Sequence, residues 1–376
     1  MKKIFIISTI LLVIVLIFLG IYNFAFKKNT PAVLPMNKIE TIIQPTKESI
    51  VEKKITQVSD KAVLGPVVDK KTGEIKYYDA ATGIVWKTNE DGKNIQQVTT
   101  ITMLGLKNVL WSTDQNKVVT VLLKENKNAF YVYDYLSQHS TLLKDNLDTV
   151  AWDNIGSRIF YKYFDAKSGQ RTLNISNPDG SNWQKLADIS ARNLSIVSIP
   201  LTATVSYWNY PSAKEETLFQ SIGVTGGEPK IILNGKYGAD YLWSPSGKET
   251  LVSSLVSKED NTLTLGIVSL DGKYQNLSIP TLVSKCAWSK DGKSIFYALP
   301  GNIPATAIMP DDYQENKFNT EDTFWRLDLT TGNKERIIEA NEIGGKYDSS
   351  EVFLSMNEKY LFFVNKIDRK LYRINL

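Results

Sequence analysis

The chain has 376 residues, of which 43% are hydrophobic and 11% aromatic, a composition that excludes a disordered chain and suits packed sheets. Its formal net charge is +4, and Lys2, Lys3, Lys27 and Lys28 account for all of it. The rest is balanced, which excludes a general binder of nucleic acid or other polyanions.

Residues 4–26, IFIISTILLVIVLIFLGIYNFAF, form a run of 23 residues without a charge, closed by Lys27-Lys28. At 1.5 Å per residue such a run spans a hydrocarbon layer of roughly 30 Å. A cleaved signal peptide would have a shorter apolar run and a small-residue exit site, whereas Ala25 stands between two phenylalanines. We therefore expect an uncleaved membrane anchor over 1–28, its short tail inside and its long following segment outside. Residues 29–51 carry three prolines and little periodicity, as expected of a stalk.

From residue 52 the chain reads as one all-β domain with an internal period near 43 to 46 residues. The clearest copies are VLWSTDQNKVVTVLL (109–123), VAWDNIGSRIFYKYF (150–164), YLWSPSGKETLVSSL (241–255) and CAWSKDGKSIFYALP (286–300). They carry Trp111, Trp152, Trp243 and Trp288, each expected to pack between repeats. LSIVSIPLTATVSYWNY (194–210) is a copy lacking this Trp, and residues 63–79 and 351–365 are divergent copies. Downstream in each unit a second hairpin turns at Asp-Gly or Thr-Gly, as at 91–92, 179–180, 271–272 and 331–332.

Each unit is thus strand, turn, strand, loop, strand, turn, strand. Four-stranded antiparallel units of this length are propeller blades, because one such sheet buries both apolar faces only when neighbours stack on it in a ring. Seven units begin near 58, 106, 147, 194, 239, 283 and 350. The last holds only three strands, so KKITQVS (53–59) is expected to supply the fourth by pairing with residues 370–376. The sixth unit carries an insertion, 299–324, whose length on a rigid scaffold marks it as a candidate contact loop. Within it Met309, Asp311, Asp312, Tyr313 and Phe318 are the candidate partner-contact residues.

At WSPSGKE (243–249) and WSKDGKS (288–294) the sequence resembles the WD40-like repeats of TolB-type periplasmic propellers and of the propeller domains of prolyl-oligopeptidase-like enzymes. The resemblance covers most of 58–376 and implies a bacterial envelope protein using its propeller for protein contacts or as an accessory domain. Two features depart from those families: an apolar N-terminal run in place of an α/β domain, and the lack of a hydrolase domain after the ring.

No catalytic constellation is evident. There is no G-x-S-x-G elbow, His139 is the sole histidine, and Cys286 is the sole cysteine, expected as a buried thiol rather than a nucleophile. Zinc or haem ligation lacks further His or Cys, and no cofactor or metal is expected. The leading expectation is a non-enzymatic binding or scaffold protein, single-pass in the bacterial cytoplasmic membrane, with its domain outside the cytoplasm. Its partner would be an envelope protein or cell-wall component. Two alternatives stay open: a carbohydrate-active hydrolase or lyase acting through funnel carboxylates, and the ligand-sensing ectodomain of a membrane complex. Acids and aromatics gathered at the inner-strand ends would favour the enzyme.

Overall fold

The computed structural model describes residues 54–376; the expected anchor and stalk lie outside the described residues. Among the described residues no helix is long and apolar enough to cross a membrane.

Seven four-stranded antiparallel sheets make up the described residues, six of them simple meanders and the seventh a three-stranded meander completed by the first strand of the domain. Their innermost strands are Val63–Val68, Leu106–Trp111, Leu147–Trp152, Leu194–Ser198, Asp240–Trp243, Cys286–Trp288 and Ser349–Leu354, which number blades 1 to 7. The expected closure is present. Ile55–Gln57 pairs antiparallel with the final strand Leu371–Asn375, in the register Ile55 to Ile374 and Gln57 to Tyr372.

The repeated turn has a chemical basis. Ser112 Oγ donates to Asp114, and the same oxygen accepts the Lys117 amide, locking the turn between the first two strands of blade 2. Ser289 with Asp291 and Ser355 with Asn357 repeat this in blades 6 and 7. Small hydroxyl and carboxylate side chains bond their own backbone here, which is why they recur at these turns.

The core is divided among the interfaces. Seven buried apolar clusters each join two neighbouring blades, and the one uniting Val63, Ile75 and Tyr77 with Phe362, Val364 and Leu371 seals the ring.

The repeated tryptophans sit at the last position of their inner strands and reach back one blade. The indoles of Trp111, Trp152 and Trp288 donate to the carbonyls of Gly65, Leu110 and Leu242 at 2.8, 2.7 and 3.0 Å. In blade 4, which lacks the Trp, Ser198 Oγ donates to the Trp152 carbonyl instead, at 2.7 Å. In blade 5 the Trp243 indole donates to Ser206 Oγ, which in turn donates to the Val197 carbonyl. The inter-blade bond survives the loss of the motif.

The blade 6 insertion is shorter than the sequence suggested. Its flanks are strand, Ser294–Gly301 and Glu321–Asp328, leaving residues 302–320 as the connection, with one helical turn at Asp311–Gln314. His139, the sole histidine, begins the outer strand His139–Leu142 of blade 2. Cys286 is buried, and burial pushes its thiol pKa up.

Candidate functional site

In a meander the connections alternate between the two ends of the ring, so the insertion joins the face that also carries the approach to every inner strand. There it folds inward as a cap. Met309 and Tyr313 are buried in an apolar cluster with Leu255, Leu263 and Leu282, and Phe318 packs at its edge. Asp311 accepts bonds from the Ser212 hydroxyl and the Ala213 amide of blade 4, at 3.0 and 2.8 Å. Asp312 accepts from the Ile308 amide and pairs with Lys317 at 2.6 Å, within the cap itself. The Asn261 side chain of blade 5 accepts the Met309 amide at 2.9 Å. The five candidate contact residues are therefore engaged with the ring and with the cap.

Backbone contact is close. Gly238 has φ +59°, and a Cβ there would lie 2.6 Å from Pro310 Cδ, so glycine lets the cap sit down on the ring.

A fully buried polar cluster fixes the other side of the cap. Lys285 Nζ lies 2.7 Å from both Asp322 and Asp348, 3.1 Å from Thr320 Oγ1 and 2.9 Å from the Ser349 carbonyl. All three charged side chains are removed from solvent. The Thr320 hydroxyl donates to Asp322 and its amide to Asp348, Ser349 donates to Asp322, and the Tyr313 hydroxyl donates to Asp348. Burial alone would raise the Asp348 carboxyl, but Lys285 and these donors outweigh it and hold it below the usual aspartate value. Burial and the Asp348 charge push the Tyr313 phenol up. Lys366 Nζ lies 3.5 Å from the centre of the Tyr313 ring.

Between cap and ring lies a cavity of about 350 Å³ at the mouth of the central channel. It draws on four consecutive blades: Ser195 and Tyr210, Asp240, Ser284, and Glu351 with Lys366. The cap contributes Pro310, Tyr313, Gln314 and Asn316. Asp240 opens the inner strand of blade 5, where the Trp208 indole and the Tyr241 amide donate to it at 3.0 Å each. Enclosure by protein outweighs both bonds and raises its carboxyl to about 6. Glu351 occupies a bulge in the blade 7 inner strand, at φ +48°, where a non-glycine residue is strained. Its side chain is exposed, yet the protein around it displaces enough solvent to raise its pKa against the pull of Arg369. Enclosure likewise lowers Lys366, against the pull of Asp348.

Two carboxylates with raised pKa values thus line one half-open cavity with a lysine, two tyrosines and several hydroxyls. Chemically this suits proton transfer to and from a hydroxyl-rich ligand. Among the described residues no group of three His, Cys, Asp or Glu side chains is placed to hold a metal ion. The sequence pointed to the cap but passed over Asp240, Glu351 and Lys366. The available signal was a polar residue opening or interrupting an inner strand, as in GADYLW (238–243) and SSEVFL (349–354).

No protein-family model matches the chain, and a search of curated proteins returns no relative. Solved structures share its fold. Oligogalacturonate lyase from Vibrio parahaemolyticus superposes with a TM-score of 0.62 at 10% identity, over 87% of this chain and 94% of that one. An oligogalacturonate lyase in complex with manganese gives 0.63 at 10% identity, over 86% and 93%. The β-propeller domain of the Trilobed protease from Pyrococcus furiosus gives 0.53 at 11%, over 84% and 96%. At such identities the likeness establishes the propeller ring and leaves its chemistry to be argued from this chain's own residues.

Proposed function

We propose that the chain is a carbohydrate-active propeller, held outside the cytoplasm by its N-terminal segment, that binds a sugar chain at the capped channel mouth and hydrolyses it. The observation that carries this reading is the convergence of Asp240 and Glu351 on one cavity beneath the cap. Glycoside hydrolysis needs two carboxyl groups, one protonated to donate to the leaving oxygen and one ionised to act on water or the sugar. In this assignment Asp240, raised to about 6, is the acid, and Glu351, lining the same cavity, is the base. Water adds across the bond: its proton passes to Glu351, and the proton of Asp240 goes to the departing hydroxyl.

Hydrolysis is favoured over elimination. Elimination from a uronate needs cations or a metal to neutralise the sugar's own carboxylate, and Lys366 is the only cation lining this cavity, beside two acids. The lyase likeness supports a ring that can carry sugar chemistry, without fixing the substrate.

A second reading, a protein-binding scaffold of the envelope like that expected from TolB-type propellers, is favoured by the opposite face. There Ile155 and Leu201 stand 73% and 84% exposed on the first turns of blades 3 and 4. These turns are bound together by Asn154, which donates to the Ile199 and Thr202 carbonyls.

Hydrogen exchange distinguishes the two. With a panel of neutral and amino-sugar oligosaccharides, protection is expected at 209–216, 238–241, 309–316 and 349–351. Absence of protection there with every sugar would reject the carbohydrate reading.

A further inference from the structure

Tyr210 is half exposed and lines three cavities at once: the capped mouth, a recess along the inner strands of blades 3 and 4, and a groove of about 610 Å³ between those blades. The groove runs along the connection 189–193 and the facing edge of blade 4, and its wall offers the Asn193 and Gln220 amides beside the half-exposed Tyr210 ring. Planar amides beside an aromatic face suit the edges and faces of sugar rings.

The charges along this path are not neutral. The groove holds Asp188, Glu215 and Glu216 against Arg192, and the mouth holds Asp240 and Glu351 against Lys366. Asp188 is offset by Lys185 at 2.7 Å, and Lys214 acts on Asp312 of the cap. Carboxylates still outnumber cations in the groove, and in the mouth Lys366 and Arg369 only balance Asp240 and Glu351, so neither segment has the cationic excess that a polyanionic chain needs, and a neutral or amino-sugar chain is tolerated.

Building on the carbohydrate reading above, we propose that groove and mouth form one extended binding site for a linear chain of neutral or amino sugars, with Tyr210 as the stacking platform joining its two halves. A chain long enough to pass Tyr210 gains the groove contacts; a disaccharide held at the mouth does not.

The test is calorimetry on the full-length protein in detergent. The probes are a disaccharide and a hexasaccharide each of β-1,4-glucan, deacetylated chitin and polygalacturonate, with oligolysine as a peptide probe. A glucan or chitosan hexasaccharide is expected to bind at least about tenfold tighter than its disaccharide. Tyr210→Ala should weaken the hexasaccharide by more than the disaccharide and so close that gap, with the unfolding midpoint unchanged, and Tyr210→Phe, which keeps the ring, should retain it. Equal affinity at both lengths, with binding still confined to the mouth, overturns the extended site and leaves the proposed function standing. Tightest binding of the galacturonate overturns the charge argument. Binding of oligolysine alone overturns the sugar assignment in favour of a basic peptide, and binding of no sugar at any length overturns both this proposal and the function it rests on.

Discussion

The Tyr313 hydroxyl donates to the Asp348 carboxylate at 2.5 Å, so one bond joins the cap of blade 6 to the residue preceding the inner strand of blade 7. Because Asp348 is fully buried, the loss of this donor is not made good by water. We expect Tyr313→Phe to cost about 1–3 kcal/mol in urea unfolding. It should also weaken ligand binding, since Tyr313 lines the mouth. An unchanged midpoint would show that the cap is held by its apolar contacts alone.

Lys285 is the shared counter-charge of Asp322 and Asp348. Replacing it with Met leaves two carboxylates buried without a cation, and a loss of about 3–5 kcal/mol is expected. The same cluster sets an acid limit. The Asp348 carboxyl lies below its ordinary value of 3.8 in the folded protein. Its contribution to stability is therefore present above that value and fades as pH falls through the lower, folded one. Hydrogen exchange in 302–320 should accelerate across that window in the native protein.

Asp240 has the opposite sign. Its folded value of about 6 exceeds the ordinary 3.8, so the folded protein binds the proton more tightly, and stability drops as pH rises from 3.8 to about 6. Asp240→Asn keeps an oxygen to accept from Trp208 and Tyr241 and removes the ionisation. We expect it to be neutral to stability near pH 3.8 and stabilising by on the order of 2 kcal/mol above pH 6. A stabilising substitution that abolishes function marks a residue kept for chemistry, and thermal melts at the two pH values measure it.

Removing residues 371–376 takes away the strand that pairs with both Ile55–Gln57 and Tyr360–Asn365. The ring then ends on open edges, and we expect loss of cooperative unfolding and a strong tendency to aggregate. Sedimentation of the truncated chain, with tryptophan fluorescence during denaturation, reads this directly.

The ring was legible in the sequence because its determinants are local and repeated: Trp at the end of an inner strand, Ser with Asp or Asn in the first turn, Gly in the second. Even the closure could be inferred, since a three-stranded last unit leaves an edge that only the start of the domain can cover. The site was not legible for the same reason. Asp240 belongs to blade 5 and Glu351 and Lys366 to two separate segments of blade 7, and nothing local relates them; only ring geometry brings them to one cavity. The cap shows the intermediate case. Its length flagged 299–324, but the burial of Met309 and Tyr313 depends on Leu255, Leu263 and Leu282 of the ring beneath, which no reading of the loop alone supplies.

The most direct measurement is the release of reducing ends from neutral and amino-sugar oligosaccharides by the native protein, Asp240→Asn and Glu351→Gln, followed as a function of pH. We expect turnover by the native protein that declines as pH rises through about 6, and a loss of roughly hundredfold or more in either variant with binding retained. Turnover undiminished in both variants, or rising through the same pH range, would contradict the assignment of Asp240 and Glu351 as the acid and base of the capped channel mouth.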